Sequence, residues 1–80
     1  MIAEIVSPTN GPYDRIKKFN LYMRFGVKEY WLVHPKFKTV EVNVLNEEEL
    51  YEQSGIYKGP DVVFSQSFPD LAVDLKDVFA

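Results

Sequence analysis

The chain has 80 residues, of which 46% are hydrophobic and 15% aromatic, and its formal net charge is −3. A chain of this length forms one domain that buries about two thirds of its unfolded surface, so oligomerisation would help to stabilise it. The apolar content excludes a disordered chain, and the lack of cysteine excludes disulfides and thiolate metal sites. Since no apolar run approaches about 20 residues and no signal-peptide pattern is present, the sequence predicts a cytoplasmic protein without a membrane partner.

Charge is distributed unevenly along the chain. Residues 1–38 contain seven basic and three acidic side chains, whereas residues 39–80 contain two basic and nine acidic ones. A local excess of basic residues favours contact with phosphate, but the acidic total disfavours tight binding to nucleic acid. The sequence therefore predicts DNA only weakly as a partner. The simpler interpretation of the basic residues, a solvated helix face, is favoured over DNA contact by about two to one.

A single carboxylate interrupts the first apolar run, Ile2-Ala3-Glu4-Ile5-Val6, which is typical of a strand. An ionised carboxylate among apolar side chains needs a hydrogen-bond donor, a cation or a metal unless it reaches water. Glu4 is therefore either a site residue or a residue on a strand edge. The pattern alone favours the edge by about three to one.

A helix is predicted next. The turn formers from Ser7 to Pro12 indicate a loop, and the apolar spacing of residues 13–25 indicates a helix that stops at Gly26. On this helix Asp14, Lys18 and Tyr22 are four residues apart and lie along one side. An ion pair between Asp14 and Lys18 is the simplest role for that lysine.

Strands dominate the rest of the chain. Residues 28–34 and 39–45 predict an antiparallel hairpin, in which the first strand is covered on both faces: Trp31 and Val33 point to one face, Tyr30 and Leu32 to the other. Residues 46–49 predict an acidic turn, and further strands are predicted at 50–57, 61–64 and 71–73, followed by a helical turn at 75–79. The predicted fold class is α+β, with a mixed, mostly antiparallel sheet of four to six strands packed on one main helix (about 12–25) and a short C-terminal helical turn.

Several motifs together resemble the Uma-two family of putative restriction endonucleases, a branch of the PD-(D/E)XK nuclease superfamily. They are Glu4-Ile-Val-Ser-Pro-Thr, Asp14-Arg-x-x-Lys18-x-x-x-Tyr22, Gly26-Val-x-Glu29-Tyr-Trp-Leu-Val33-x-Pro35, and the ending Phe68-Pro-Asp-Leu-x-Val-Asp-Leu-x-x-Val-Phe79. The resemblance covers nearly the whole chain and implies the C-terminal part of a restriction-endonuclease-like fold. It also implies that Glu4 is a metal-binding catalytic acid, that Lys18 is the catalytic lysine moved onto the helix, that Asp14 and Tyr22 support them, and that Mg²⁺ is the cofactor.

The chain departs from the family pattern at its start. Family members carry two Pro-Asp elements ahead of the glutamate, and neither is present here. The resemblance therefore predicts a single truncated domain, residues 1–80, in which Glu4 and Lys18 are vestigial, the Mg²⁺ site is incomplete and holds no ion, and the chain alone is inactive. The alternatives are a non-catalytic module that forms a homodimer, and half of a split nuclease that a partner fragment completes.

Two weaker signals are set aside. His34 stands before Pro35 without a second ligand at metal spacing, so a turn histidine is favoured by about ten to one. Pro69-Asp70 followed by Asp74-Leu75-Lys76 spells the superfamily signature, but three residues are too few to place the acids on two neighbouring strands.

Overall fold

The computed structural model describes residues 1–6 and 12–79, with the backbone alone at 12–14. The predicted loop lies outside these ranges except for Pro12, which begins the first helix. The elements agree with the predicted ones to within one residue at each end: β1 (Ile2–Ile5), α1 (Pro12–Arg24), β2 (Glu29–His34), β3 (Thr39–Leu45), β4 (Tyr51–Lys58), β5 (Val62–Phe64), β6 (Ala72–Asp74) and α2 (Leu75–Val78).

The six strands within the described ranges form two sheets. The main sheet has the order β1-β2-β3-β4, in which β1 is parallel to β2 and the other pairs are antiparallel. The strands β5 and β6 form a separate antiparallel pair. Parallel neighbours need a long crossover, which α1 provides between β1 and β2, whereas β2 and β3 are joined directly by a short turn. The α+β class and the mixed, mostly antiparallel sheet are confirmed.

The central strand β2 is covered on both faces, as predicted. On one face the ring of Tyr30 lies 5.3 Å from that of Phe19, so α1 covers this side. On the other face Trp31 belongs to a buried cluster that includes Val63 of β5 and Leu75 of α2. The second sheet and the C-terminal helix therefore form the layer opposite α1, and the core lies between them and the main sheet.

The end of α1 is fixed by a glycine. Gly26 has a φ of +69°, a conformation that is costly for residues with a Cβ. Its N–H donates to the carbonyl of Met23, and the N–H of Val27 donates to the carbonyl of Tyr22. These two bonds form a Schellman motif, which ends the helix and directs the chain into β2. No helix in the described ranges is long and apolar enough to cross a membrane.

Within the described residues, β1 is an edge of the main sheet, paired with β2 on one side. Glu4 is level with Leu32 in this pairing and lies on the face that α1 covers. Ile5 lies on the opposite face and is 69% exposed, so the β5–β6 layer does not extend over β1. The strand therefore combines a covered carboxylate with an open, apolar edge.

Candidate active site

Glu4 lies on β1, and its side chain occupies the space between this strand and α1. Side chains alternate between the faces of a strand, so Glu4 points toward the helix while Ala3 and Ile5 point away. Its side chain is 22% exposed. The carboxylate is thus neither free in water nor sealed in the core, and it is surrounded by hydrogen-bond donors.

Lys18 is the first of these donors. Its Nζ lies 3.3 Å from Oε2 of Glu4, and its side chain is 37% exposed. The resemblance grouped these two residues, and the fold brings them together although they are 14 positions apart in sequence. The predicted partner Asp14 lies in α1, but its side chain is outside the described residues.

Two tyrosines also donate to the carboxylate. The hydroxyl of Tyr22, on α1, donates to Oε1 of Glu4. The hydroxyl of Tyr30, on β2, donates to Oε2 over 3.2 Å. The sequence analysis included Tyr22 among the supporting residues and missed Tyr30, because only the register of β1 on β2 brings that hydroxyl within reach.

These donors determine the charge of the site. Burial by itself would raise the pKa of Glu4, but the hydrogen bonds from Tyr22, Lys18 and Tyr30, together with the charge of Lys18, hold it below its usual value. Burial and the neighbouring Glu4 charge raise the pKa of Tyr30. At neutral pH the carboxylate is therefore ionised and Tyr30 is a protonated donor.

The described residues do not by themselves fit a magnesium site. They contain no group of three or more His, Asp or Glu side chains that could hold a metal ion. Mg²⁺ prefers six oxygen ligands, and an ionised carboxylate offers about four acceptor positions. Within the described residues, Lys18, Tyr22 and Tyr30 take three positions on Glu4, which leaves one on Oε1.

A second carboxylate, at the start of β2, is fully buried and was not predicted. Oε1 of Glu29 accepts bonds from the Ser65 hydroxyl (2.9 Å) and the Ser67 N–H (2.8 Å), and Oε2 accepts one from the Trp31 indole. Burial would raise the pKa of Glu29, but these donors hold it below its usual value. Its bonds to Ser65 and Ser67 anchor the loop after β5. Glu29 does not join the candidate site, because its side chain points away from Glu4. The signal was local: Glu29 and Trp31 share a strand face, and a buried indole N–H needs an acceptor.

The two weaker signals fall outside this site. His34 ends β2. Asp70 lies in a turn, and Asp74 caps α2 by accepting a bond from the N–H of Lys76 at 3.0 Å. These positions explain the residues without a catalytic role.

The chain is similar to a known protein family and to a solved structure. The family model Uma2, described as a putative restriction endonuclease, matches residues 1–76. A solved structure, a putative nuclease belonging to DUF820 from Anabaena variabilis ATCC 29413, is similar with a TM-score of 0.74 and 26% identity over 96% of this chain. The chain spans 41% of the length of that nuclease. No curated protein matches.

Proposed function

The chain belongs to the Uma2 family of putative restriction endonucleases, and we propose that it supplies one part of a nuclease active site, in which Glu4 and Lys18 are the catalytic residues. The observation that supports this proposal is their ion pair, with 3.3 Å between Lys18 Nζ and Glu4 Oε2. A strand acid beside a helix lysine is the pair that the family resemblance implied.

The chemistry of the two groups suits work on a phosphodiester. The ammonium of Lys18 would stabilise the negative charge that develops on the phosphate. Glu4, held ionised by its donors, would supply one of the carboxylates that nucleases of this kind use to bind their metal ions. DNA is the proposed substrate, and Arg15, Lys17 and Arg24 give α1 the basic character that contact with its backbone requires.

We propose that the chain alone does not cleave DNA. One carboxylate with a single acceptor position left is insufficient for a hard divalent cation, and the described residues supply no further ligand group. The missing acids would come from a strand that pairs with the open edge of β1, beside Glu4. The similar nuclease is more than twice as long as this chain. In that related protein, the part outside the matched region could contain such a strand.

Cleavage assays on the chain and on a completed protein test this proposal. The purified chain, incubated with Mg²⁺ and end-labelled duplex DNA, should leave the DNA intact. A fusion with the part of the Anabaena variabilis nuclease that lies outside the matched region should cleave it. Glu4→Gln and Lys18→Met should each lower the rate of that cleavage by about 100-fold or more.

Lys76→Met is the control, because Lys76 is an exposed lysine on α2, in the layer opposite α1. It should leave the rate within a few-fold of that of the fusion. Cleavage by the fusion that survives Glu4→Gln would contradict the proposed roles. Cleavage by the chain alone, abolished by Glu4→Gln, would refute the need for further acids.

A homodimer is the second candidate, favoured by the edge of β1. This strand has neither proline nor lysine to discourage pairing, and Ile5 is 69% exposed beside it. A second copy could pair along this edge and cover the side chain. Sedimentation at micromolar concentration should then give twice the 9.3 kDa mass of the chain, and a compact monomer would exclude the dimer.

The pair Ile5→Lys and Ile56→Lys makes this test specific. Both isoleucines are exposed, but Ile56 lies on β4, the opposite edge of the main sheet. We expect Ile5→Lys to give a monomer and Ile56→Lys to remain a dimer. Dissociation by Ile56→Lys alone would place the interface on β4.

A further inference from the structure

Tyr30 has no role in the proposals above, although its hydroxyl lies 3.2 Å from the carboxylate of Glu4. We propose that Tyr30, together with Tyr22, is a positioning residue that fixes the orientation of the Glu4 carboxylate. The catalytic value of this orientation rests on the proposed function, whereas the orientation itself can be measured without it.

The two hydroxyls belong to different secondary-structure elements, and each donates to a different oxygen of Glu4. Tyr22 reaches Oε1 from α1, and Tyr30 reaches Oε2 from β2. The terminal torsion of a glutamate is broad and weakly restrained by its own sterics. With each oxygen bonded to a separate donor, a change of the χ1 or χ2 rotamer, or rotation about the terminal torsion, breaks at least one of the two bonds.

Lys18 cannot replace these hydroxyls. A lysine ammonium is a compact charge on a flexible stem, with three donors that rotate, so it attracts the carboxylate without fixing its plane. It also bonds to Oε2, the same oxygen that Tyr30 holds. The lysine therefore supplies positive charge to the site, and the tyrosines fix the orientation of the Glu4 carboxylate.

The rings that carry the hydroxyls are themselves held in place. Tyr30 is fully buried, and its ring meets those of Phe19 and Tyr22 edge to face, with centroids 5.3 Å and 5.0 Å apart. Phe19 makes the same kind of contact with Tyr51, at 5.3 Å. Contacts of this kind add to the stability gained by burial. A hydroxyl on such a ring has little freedom to follow a moving carboxylate.

The arrangement also selects the atom that remains available. The described residues occupy both acceptor positions of Oε2 and one of the two on Oε1. A further ligand of Glu4 would therefore approach Oε1, on the side that Tyr22 leaves open. Fixing the plane of the carboxylate fixes the direction of that approach.

Nuclear magnetic resonance of the isotope-labelled chain tests the positioning role. Side-chain coupling constants report the χ1 and χ2 rotamers of Glu4, and a change of either rotamer moves the carboxylate away from its donors. The wild-type chain should show one rotamer. Because a hydrogen bond to a charged group has a large effect, Tyr30→Phe should raise the population of other rotamers by about tenfold, and Tyr22→Phe/Tyr30→Phe should raise it further.

Tyr51→Phe is the matched control. Tyr51 belongs to the same aromatic cluster, but its hydroxyl donates to the carbonyl of Val27 over 2.6 Å. This variant should leave the Glu4 rotamer unchanged. If it releases Glu4 as much as Tyr30→Phe does, or if Glu4 keeps one rotamer in the double variant, the positioning role is refuted.

Tyr22→Phe alone gives the same test through Oε1 if Tyr30→Phe does not fold. In the completed nuclease, release of Glu4 should lower kcat by about tenfold or more with little change in KM, since misplacement of a catalytic group affects the chemical step. Rotamer release in a completed protein that never cleaves DNA would support the positioning role and refute the nuclease function.

Discussion

Replacing Glu29 by glutamine tests whether a buried carboxylate joins β2 to the loop after β5. Glutamine has nearly the same volume but one oxygen and one NH₂ group in place of two oxygens. Either Trp31 or the two donors of the loop, Ser65 and Ser67, must then face an N–H group instead of an acceptor. The substitution removes the acceptor without leaving a large cavity.

The expected loss follows from the bonds that are changed. A buried donor left without an acceptor costs about 1–3 kcal/mol, and exchange of a charged for a neutral acceptor at the remaining bonds costs about 1 kcal/mol. The neutral amide avoids the desolvation of a charge, but the lowered pKa of Glu29 means that the donors outweigh that desolvation in the fold. We therefore expect Glu29→Gln to lower the free energy of unfolding by about 2–4 kcal/mol. A domain of this length has roughly 4–12 kcal/mol in total.

Urea unfolding followed by circular dichroism measures this loss. Circular dichroism is preferable to fluorescence because Trp31 is the one tryptophan of the chain and itself contacts Glu29. Glu48→Gln, in an exposed turn, is the control and should change the free energy of unfolding by less than about 0.5 kcal/mol. A Glu29→Gln variant as stable as this control would refute the anchoring role.

The loss of stability caused by Glu29→Gln should also depend on pH. The pKa of Glu29 in the fold lies below its ordinary value of 4.5. The ionised group therefore contributes stability that is complete above pH 4.5 and is lost as the pH falls through the folded pKa. The difference between wild type and Glu29→Gln should be constant near neutral pH and shrink in acid. A difference that does not change in acid would show that the ionised form is not what the fold requires.

Three further substitutions have direct readouts. Lys18→Met should raise the pKa of Glu4 in a nuclear magnetic resonance titration and lower the free energy of unfolding by less than about 1 kcal/mol, because the lysine side chain is 37% exposed; an unchanged pKa would contradict the ion pair. Gly26→Ala should cost about 1–2 kcal/mol in thermal unfolding, from its φ of +69° and not from a clash, since a Cβ there meets nothing within 4 Å. Leu75→Ala should cost about 2–5 kcal/mol, since the side chain is fully buried, and a loss below about 1 kcal/mol would show that α2 does not pack on the sheet.

The elements of this fold could be predicted because their signals are local. The alternation of Val40 and Val42 with Glu41 gave β3 its buried face, and Gly26 gave α1 its end. Each signal depends on residues that are neighbours in sequence. The division of six strands into two sheets was not predicted, since it depends on how distant strands pair.

The candidate site shows the limit of such signals more clearly. Periodicity alone favoured a surface role for both Glu4 and Lys18, and only the family resemblance grouped them. Tyr30 reaches Glu4 across 26 positions of sequence, and Ser65 reaches Glu29 across 36. No local pattern encodes either contact, because each depends on the register between elements that are distant in sequence.

The site is built on the unit β1–α1–β2, and this explains how a chain of 80 residues can hold it in place. Among the residues that the structure describes, the donors to Glu4 come from α1 and β2 and not from the second sheet. The adjacent residues Glu29 and Tyr30 point to opposite faces of β2, so the strand is anchored to the β5 loop on one side while it presents a donor to Glu4 on the other. The further strand that we propose at the edge of β1 would meet a carboxylate that already accepts bonds from Tyr22 and Tyr30, and it would need to supply only the remaining acids.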